Sequence, residues 1–223
     1  MEGKATMTGV QAHAQRRAYE EWALYHSQQT PMAVFYNTKE QHISEVCRTA
    51  GTGYVAQFGV DAAHTLRIMA SHFRSEKVFG FDAWHHKGPG LPDRWTGNFD
   101  HSRAFTWTKE SFRELKRSMP KNVRLVPGLF DQKRIQATLP DTKAAVISID
   151  CDTGASTTTV LEAIRHTLAP GTRIIFDEYA NYAGWRQHEF GAWQAFCKRY
   201  GVQYQYWGIS EMDVSVEITD IRS

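Results

Sequence analysis

From residue 54 onward, short apolar segments alternate with longer amphipathic ones, and this alternation constrains the fold most. The intervals 62–72, 108–118 and 156–168 have helical periodicity, and Gly171 after Pro170 would end the third helix. Alternation of this kind predicts a mostly parallel sheet with helices on both faces. Seven segments have the length and the Val, Ile, Phe and Tyr content of strands, and these are 54–58, 77–81, 123–126, 144–149, 173–176, 203–207 and 214–218.

The last two strand segments are separated by only a few residues, too few for a helical crossover, so we expect an antiparallel hairpin. Segments 11–30 and 38–50, on either side of Pro31, have helical character, and Tyr19, Trp22, Ala23 and His26 would share one face of the first. These helices would cap a substrate pocket or build a homodimer interface, with core packing as the alternative. We predict a single domain over 1–223, with a helical cap at 1–50 and a Rossmann-like core at 51–223.

Composition and charge exclude several classes of function. Of 223 residues, 42% are hydrophobic and 22% charged, which is typical of globular domains, and the net charge of +2 is too small to indicate a nucleic-acid partner. The cysteines Cys47, Cys151 and Cys197 form no C-x-x-C pair, so no zinc site or disulfide framework is indicated. We find no signal peptide or apolar span, and we expect a cytoplasmic protein with a small-molecule partner and no membrane partner.

Ligands of open α/β sheets bind beyond the carboxyl ends of the strands, and the first strand ends there in Gln57-Phe58-Gly59. Gly59 would let backbone approach a ligand closely, although a plain strand-to-helix turn is equally compatible. Ala62 and Ala63 follow where more glycines would favour such a loop.

The next two strands end in further candidates. Asp82, followed by Ala83, suits ribose hydroxyls, because a carboxylate accepts two hydrogen bonds from a cis diol. A turn cap is the alternative. Gly128 would lie near a nucleoside base, or would be a plain turn glycine.

Acidic residues end two further strands. Asp150 and Asp152 follow the fourth strand, on one side by the period-two rule, and Asp177 and Glu178 follow the fifth. Such carboxylates repel unless a cation compensates, and Mg²⁺ or another hard divalent cation is the natural partner. A coordinated hydroxyl would have a lowered pKa, and a nearby carboxylate would take its proton. The alternative is a set of helix caps.

At this point the chain resembles the macrocin O-methyltransferase family, metal-dependent class I S-adenosylmethionine (SAM) methyltransferases that methylate sugar hydroxyls. The strand–helix order with a terminal hairpin also has the class I layout. The stretches that carry the resemblance are Val78-Phe79-Gly80-Phe81-Asp82, Gly90-Leu91-Pro92-Asp93-Arg94-Trp95, Val126-Pro127-Gly128-Leu129-Phe130, Thr138-Leu139-Pro140, Ile149-Asp150-Cys151-Asp152, Phe176-Asp177-Glu178-Tyr179, Gly184-Trp185 and Glu189.

The resemblance implies roles by position. Asp150, Asp177 and Glu178 would bind the metal, and Asp152 would be the general base. Substrate-side candidates are Tyr179, Trp185 and Glu189; Trp185 and Glu189 would share a helix face, with core packing as the alternative for Trp185. The SAM-contacting set is Gln57, Phe58, Gly59, Asp82, Ala83, Gly128 and Asp150.

This chain departs from the family at the cofactor loop, where Gln57 replaces the usual Glu and Ala62 and Ala63 replace glycine. His85, His86 and Lys87 are also unusual. We predict a SAM- and divalent-metal-dependent O-methyltransferase acting on a sugar or small natural-product-like acceptor. The alternative is a binding or scaffold protein with an altered SAM loop. A hydroxylase is disfavoured, because no two-His-one-carboxylate set is visible.

Overall fold

The computed structural model describes residues 9–30, 32–84 and 107–222. The predicted segments 85–87 and 90–95 lie outside these ranges. The described helices are α1 (Gly9–Gln29), α2 (Lys39–Arg48), α3 (His64–His72), α4 (Lys109–Ser118), α5 (Gln132–Thr138), α6 (Gly154–Ile164) and α7 (Glu189–Tyr200). The described strands are β1 (Val34–Phe35), β2 (Tyr54–Phe58), β3 (Val78–Asp82), β4 (Val123–Pro127), β5 (Ala144–Ile149), β6 (Arg173–Phe176), β7 (Gln203–Ser210) and β8 (Asp213–Asp220).

The described strands form one sheet of eight, in the order β1-β7-β8-β6-β5-β2-β3-β4. Strands β2 to β6 run parallel, and β7 and β8 form the predicted antiparallel hairpin against β6. The Rossmann-like fold is therefore confirmed. The sequence analysis did not predict β1, because a strand of two residues is too short to show a periodic pattern. Since β1 pairs with β7, the segment before residue 51 contributes an edge strand as well as helices.

The register of the parallel strands aligns their carboxyl ends. Phe58 lies beside Phe81 on one side and Ile149 on the other, and Ile149 lies beside Phe176. The residues that follow these four therefore emerge at one edge of the sheet. They include the candidates Asp82, Asp150, Asp152, Asp177 and Glu178.

The central strands are buried on both faces, which explains their nearly continuous apolar sequence. On one face, Phe58 and Ile147 pack in a core that includes Val160 and Ile164 of α6. On the other face, Val55 and Val146 pack against α2, α3 and α4. The amphipathic helices predicted at 62–72, 108–118 and 156–168 correspond to α3, α4 and α6.

Helix α1 packs with a face different from the predicted one. Ala18 and Trp22 are buried, whereas Tyr19 is half exposed and Ala23 is exposed. The Trp22 ring lies edge-on to Trp185, with 5.6 Å between ring centroids. The helix thus covers the segment after β6. Its buried aromatic residue Trp22 packs in the core, as the core-packing alternative states. No helix in the described ranges is long and apolar enough to cross a membrane.

The end of α6 also differs from the prediction, which made Gly171 its terminal glycine. The helix ends at Ile164 and continues as a single 3₁₀ turn, Arg165–Thr167. Gly171 instead has a φ of 81° in the turn before β6, where its N–H donates to the Ile218 carbonyl at 2.8 Å.

Arg173 of β6 fixes α2 to the sheet from a buried position. Its Nε donates to Glu217 at 2.9 Å, and its Nη1 donates to the Val46 carbonyl at 2.9 Å. The guanidinium carbon lies 3.7 Å from the centroid of the Trp207 ring. One planar cation thereby joins β6, β7, β8 and the last turn of α2.

We expect Arg173→Met to lower the free energy of unfolding by about 3 kcal/mol, because it leaves buried acceptors without a donor. Urea denaturation followed by circular dichroism measures the change. Arg124→Met, at an exposed position of β4, is the control and should cost less than about 0.5 kcal/mol. Equal, small losses in both variants would contradict the anchoring role of Arg173.

Candidate active site

Three acidic side chains come together where β5 and β6 end. One carboxylate oxygen from each of Asp150, Asp177 and Glu178 lies within 4.8 Å of the others. The backbone carries the strand pairing one residue further, since the Asp150 N–H donates to the Phe58 carbonyl at 2.8 Å and the Asp177 N–H to the Ile149 carbonyl at 2.9 Å. The structure thus brings together the three side chains predicted as metal ligands.

The environment of these acids disfavours negative charge. Burial, with a contribution from Asp82, raises the pKa of Asp150 to about 6. Burial, with a contribution from the neighbouring carboxyl of Glu189, raises the pKa of Glu178 well above its usual value. The Glu178 Oε2 atom is buried and accepts no hydrogen bond within the described structure. A buried, unpartnered carboxylate oxygen is costly, and hard oxygen donors at this spacing fit a divalent cation.

A lysine reaches the same carboxylates from α2, which the sequence analysis did not foresee. The Lys39 Nζ donates to Asp177 Oδ1 and lies 3.5 Å from Asp213 Oδ1. Asp213 is buried at the start of β8, and burial raises its pKa to about 6, with Lys39 opposing the rise. Neither residue belongs to a local motif, and 138 positions separate Lys39 from Asp177, so no spacing signal could have found them.

Asp152, the predicted base, lies outside the group of three. Its φ of 62° is left-handed, so the chain has already left the strand conformation and the period-two argument does not apply to it. Thr153 follows it and caps α6 by accepting the Ser156 N–H at 3.1 Å. Burial first, then the charges of Asp150 and Asp82, raise the pKa of Asp152 to about 8.

Glu189 is buried between the loops that follow β5 and β6. It is fully buried; its Oε1 accepts the Cys151 N–H at 3.3 Å and its Oε2 accepts the Glu178 N–H at 3.0 Å. The carboxyl group therefore joins the loops after β5 and β6, and its substrate role stays a prediction. Trp185 and Glu189 are not on one helix, because Trp185 belongs to a 3₁₀ turn and α7 begins at Glu189.

Tyr179 and Trp185 pack among aromatic side chains in the described structure, and their substrate role stays a prediction. Both side chains are buried. The Tyr179 hydroxyl shares a 2.8 Å hydrogen bond with the Tyr206 hydroxyl, which lies 2.8 Å from that of Tyr25. The Trp185 ring packs edge-on against Phe190, with 4.6 Å between centroids. Core packing, the alternative for Trp185, is observed.

Asp82 already holds backbone donors. Its Oδ2 accepts the N–H groups of Val60 and Asp61 at 2.7 and 2.8 Å, and its Oδ1 accepts the Trp84 N–H at 3.1 Å. The side chain therefore caps the loop after β2, as the turn-cap alternative states. A carboxylate has about four acceptor sites, so capacity for ribose hydroxyls is left.

Gly59 is required by the close approach of the neighbouring chain after β5. It has a φ of 87°, and an added Cβ would lie 1.7 Å from the Asp150 carbonyl oxygen. Further along this loop Ala63 adopts a φ of 64° at the N-cap of α3, with no side-chain cap. A left-handed alanine costs about 1 kcal/mol or more, so this departure from glycine is a strained position.

Three further residues predicted to contact the cofactor, Phe58, Gln57 and Ala83, differ in burial and in hydrogen bonding. The Phe58 ring is fully buried and stacks on Phe81 at 4.8 Å between centroids, which leaves its backbone as the part that would reach a cofactor, and this contact stays a prediction. Gln57 Nε2 donates to the Gly59 carbonyl at 2.7 Å, and its buried Oε1 accepts no hydrogen bond within the described structure. Ala83 is half-buried beside Asp82.

Gly128 follows β4 at a tight turn. Its φ is 127°, and an added Cβ would lie 2.1 Å from Arg134 Nη1, which donates to the Pro127 carbonyl at 2.8 Å. The Gly128 N–H donates to the Asp82 carbonyl at 2.8 Å. The turn glycine alternative accounts for this geometry, while the residue still lies beside Asp82 at the ligand edge.

The sequence profile of a family described as a methyltransferase domain matches residues 51–179, more than half of the chain. The chain belongs to the methyltransferase domain family. The matched region runs from just before β2 through the acidic ends of β5 and β6, and it confirms the prediction of a methyltransferase. The search of curated protein sequences found no match.

Solved structures of methyltransferases share the fold. The O-methyltransferase NovP is 19% identical, with a TM-score of 0.60, over 81% of this chain and 79% of its own. CalS11, the calicheamicin methyltransferase, is 16% identical, with a TM-score of 0.61, over 97% and 98%. Precorrin-6y C5,15-methyltransferase from Geobacter metallireducens is 13% identical, with a TM-score of 0.50, over 85% and 94%. At these identities the likeness is one of fold.

We expect Gly59→Ala to lower the free energy of unfolding by more than about 2 kcal/mol, because the methyl group meets the Asp150 carbonyl and the φ suits only glycine. Gly51→Ala is the matched control, since an added Cβ there meets nothing within 4 Å. Chemical denaturation of both variants measures the difference. A similar stability for the two variants would refute the close approach at Gly59.

Proposed function

We propose that the protein is a SAM-dependent, divalent-cation-dependent O-methyltransferase that acts on a hydroxyl of a sugar or small natural-product-like acceptor. The observation that carries the proposal is the group of three carboxylates. Asp150, Asp177 and Glu178 present oxygens within 4.8 Å of one another, and a buried Glu178 oxygen lacks a partner in the described structure. This arrangement lies at the ligand edge of a methyltransferase domain.

Asp150, Asp177 and Glu178 would hold Mg²⁺ or a similar hard cation. When bound, the cation would lower the pKa of a coordinated acceptor hydroxyl. Asp152 would take the hydroxyl proton on its carboxylate. With a pKa raised to about 8, this group has a proton affinity suited to general base catalysis near neutral pH. Its neighbour Thr153 caps α6, which fixes the backbone on one side of the base.

The SAM side would be the edge formed by the ends of β2, β3 and β4. Asp82 keeps acceptor capacity for ribose hydroxyls beyond its three backbone hydrogen bonds. The Gln57 Oε1 atom is buried at the start of the same loop and accepts no hydrogen bond in the described structure, so it offers an acceptor to a donor group of the cofactor. Such anchors would hold the methyl donor in line with the acceptor oxygen.

The acceptor class is supported by relatives. A second structure of CalS11 describes it as a TDP-rhamnose 3′-O-methyltransferase in calicheamicin biosynthesis, and the chain covers 96% of that structure with a TM-score of 0.57. The motifs shared with the macrocin O-methyltransferase family point to the same class. We therefore propose a glycosyl or similarly hydroxylated small molecule as the acceptor.

We expect Asp152→Asn and Asp177→Asn each to reduce methyl transfer by at least about 10²-fold, because the first removes the base and the second a metal ligand. The measurement is S-adenosylhomocysteine formation across nucleotide sugars and hydroxylated natural products, with Mg²⁺ or with EDTA. Asp141→Asn, at an exposed loop position, is the control. Full activity in both site variants, or undiminished activity in EDTA, would contradict the metal-dependent mechanism.

The alternative is a methyltransferase-like binding or scaffold protein. The loop after β2 favours it, because Ala63 is strained and the Val60 and Asp61 N–H groups are already bonded to Asp82. Calorimetry with S-adenosylhomocysteine, with and without Mg²⁺, separates the two functions. Binding at micromolar concentration supports the enzyme, and no binding at millimolar concentration supports the scaffold.

A further inference from the structure

We propose that Lys39 is a built-in cation of the carboxylate site that occupies Asp177 in the absence of a divalent cation and moves to Asp213 when one binds. The inference rests on the proposed metal site, because it concerns what a divalent cation must displace. It assigns functional roles to Lys39 and Asp213, two residues outside the proposed ligand set.

Lys39 is delivered to the site by a fixed element. It is the first residue of α2, whose N-cap Thr38 accepts the Gln41 N–H at 3.2 Å. Within this helix His42 shares a 2.7 Å hydrogen bond with Ser215 of β8, and the Val46 carbonyl accepts from Arg173 of β6. The start of α2 is therefore held against the strands that carry the acidic residues.

The lysine ammonium lies among carboxylates rather than in open solvent. It donates to Asp177 Oδ1, and only 35% of its side chain is exposed. Its charge also opposes the rise in pKa that burial imposes on Asp150 and Glu178. One ammonium thus compensates the charge of all three proposed ligands.

A divalent cation and the Lys39 ammonium would repel each other if both were bound to Asp177. Both would lie within a few ångströms of the same carboxylate oxygens, where like charges repel by an amount comparable to a tenfold change in affinity. Repulsion between the two cations therefore favours movement of Lys39 away from that oxygen when a divalent cation binds through Asp177.

Asp213 provides the place to which Lys39 can move. Its Oδ1 is buried, has no hydrogen-bond partner in the described structure and lies 3.5 Å from the Lys39 Nζ. A small rotation of the lysine side chain converts this ion pair into a hydrogen bond. The move also satisfies a buried acceptor, which offsets part of the free energy of breaking the hydrogen bond to Asp177.

The test is Mn²⁺ binding to the full chain, measured by the electron paramagnetic resonance signal of free Mn²⁺. We expect Lys39→Met to tighten Mn²⁺ binding by about tenfold, because the competing charge is gone. Arg48→Met removes a cation from the other end of α2, where Arg48 pairs with Glu45, and should leave the affinity unchanged. The melting temperature in EDTA should fall in Lys39→Met and recover with Mn²⁺.

Asp213→Asn supplies the second measurement. In the presence of Lys39 it should weaken Mn²⁺ binding by about tenfold, because the lysine no longer has its alternative partner. In the Lys39→Met background the same substitution should have a clearly smaller effect, and this coupling identifies the exchange of partners. Equal effects of Asp213→Asn in both backgrounds would overturn the move to Asp213.

The outcomes also separate this inference from the proposed function. If the wild type binds Mn²⁺ and Lys39→Met binds it no more tightly, the competition is refuted while the metal site stands. If Lys39→Met binds Mn²⁺ and the wild type does not, the competition is supported and the metal dependence of the wild type fails. If neither binds Mn²⁺, both ideas fail.

Discussion

Repulsion between carboxylates gathered at a buried edge is the constraint on which the rest of this site depends. The strand register places Asp150 and Asp177 beside one another at the ends of β5 and β6, and Asp82 at the same edge on the far side of β2. The surrounding structure offsets the repulsion in two ways. Backbone N–H groups bond to Asp82, and the Lys39 ammonium contacts Asp177. A divalent cation would be a third such compensation.

The sheet and its acidic edge follow from sequence because both depend on short-range patterns. A buried parallel strand is an apolar run, and its last residue fixes what emerges at the edge, so Asp150, Asp177 and Glu178 were predictable as a group. Lys39 and Asp213 were not, because they reach the site through α2 and β8, far away in the chain. Strand β1 is too short to have a pattern.

Several residues that the sequence analysis predicted to contact ligands also have structural roles. Gly59 lacks a side chain because the Asp150 carbonyl occupies that space, and Asp82 caps the loop that Gly59 begins. Both duties arise from contacts between neighbouring strands, which a linear motif does not reveal. The same positions still lie at the ligand edge, so a residue there can support the fold and remain available to a cofactor.

The buried carboxyl group of Glu189 links the loops after β5 and β6, because it accepts hydrogen bonds from the backbone N–H groups of Cys151 and Glu178. Cys151 directly precedes the proposed base Asp152, and Glu178 is itself a proposed metal ligand. Their separation is therefore set by the core of the protein rather than by whatever molecule enters the pocket. Changes in the outer loops would then alter the acceptor of the proposed reaction, while the separation of Asp152 from Glu178 stays fixed by the core.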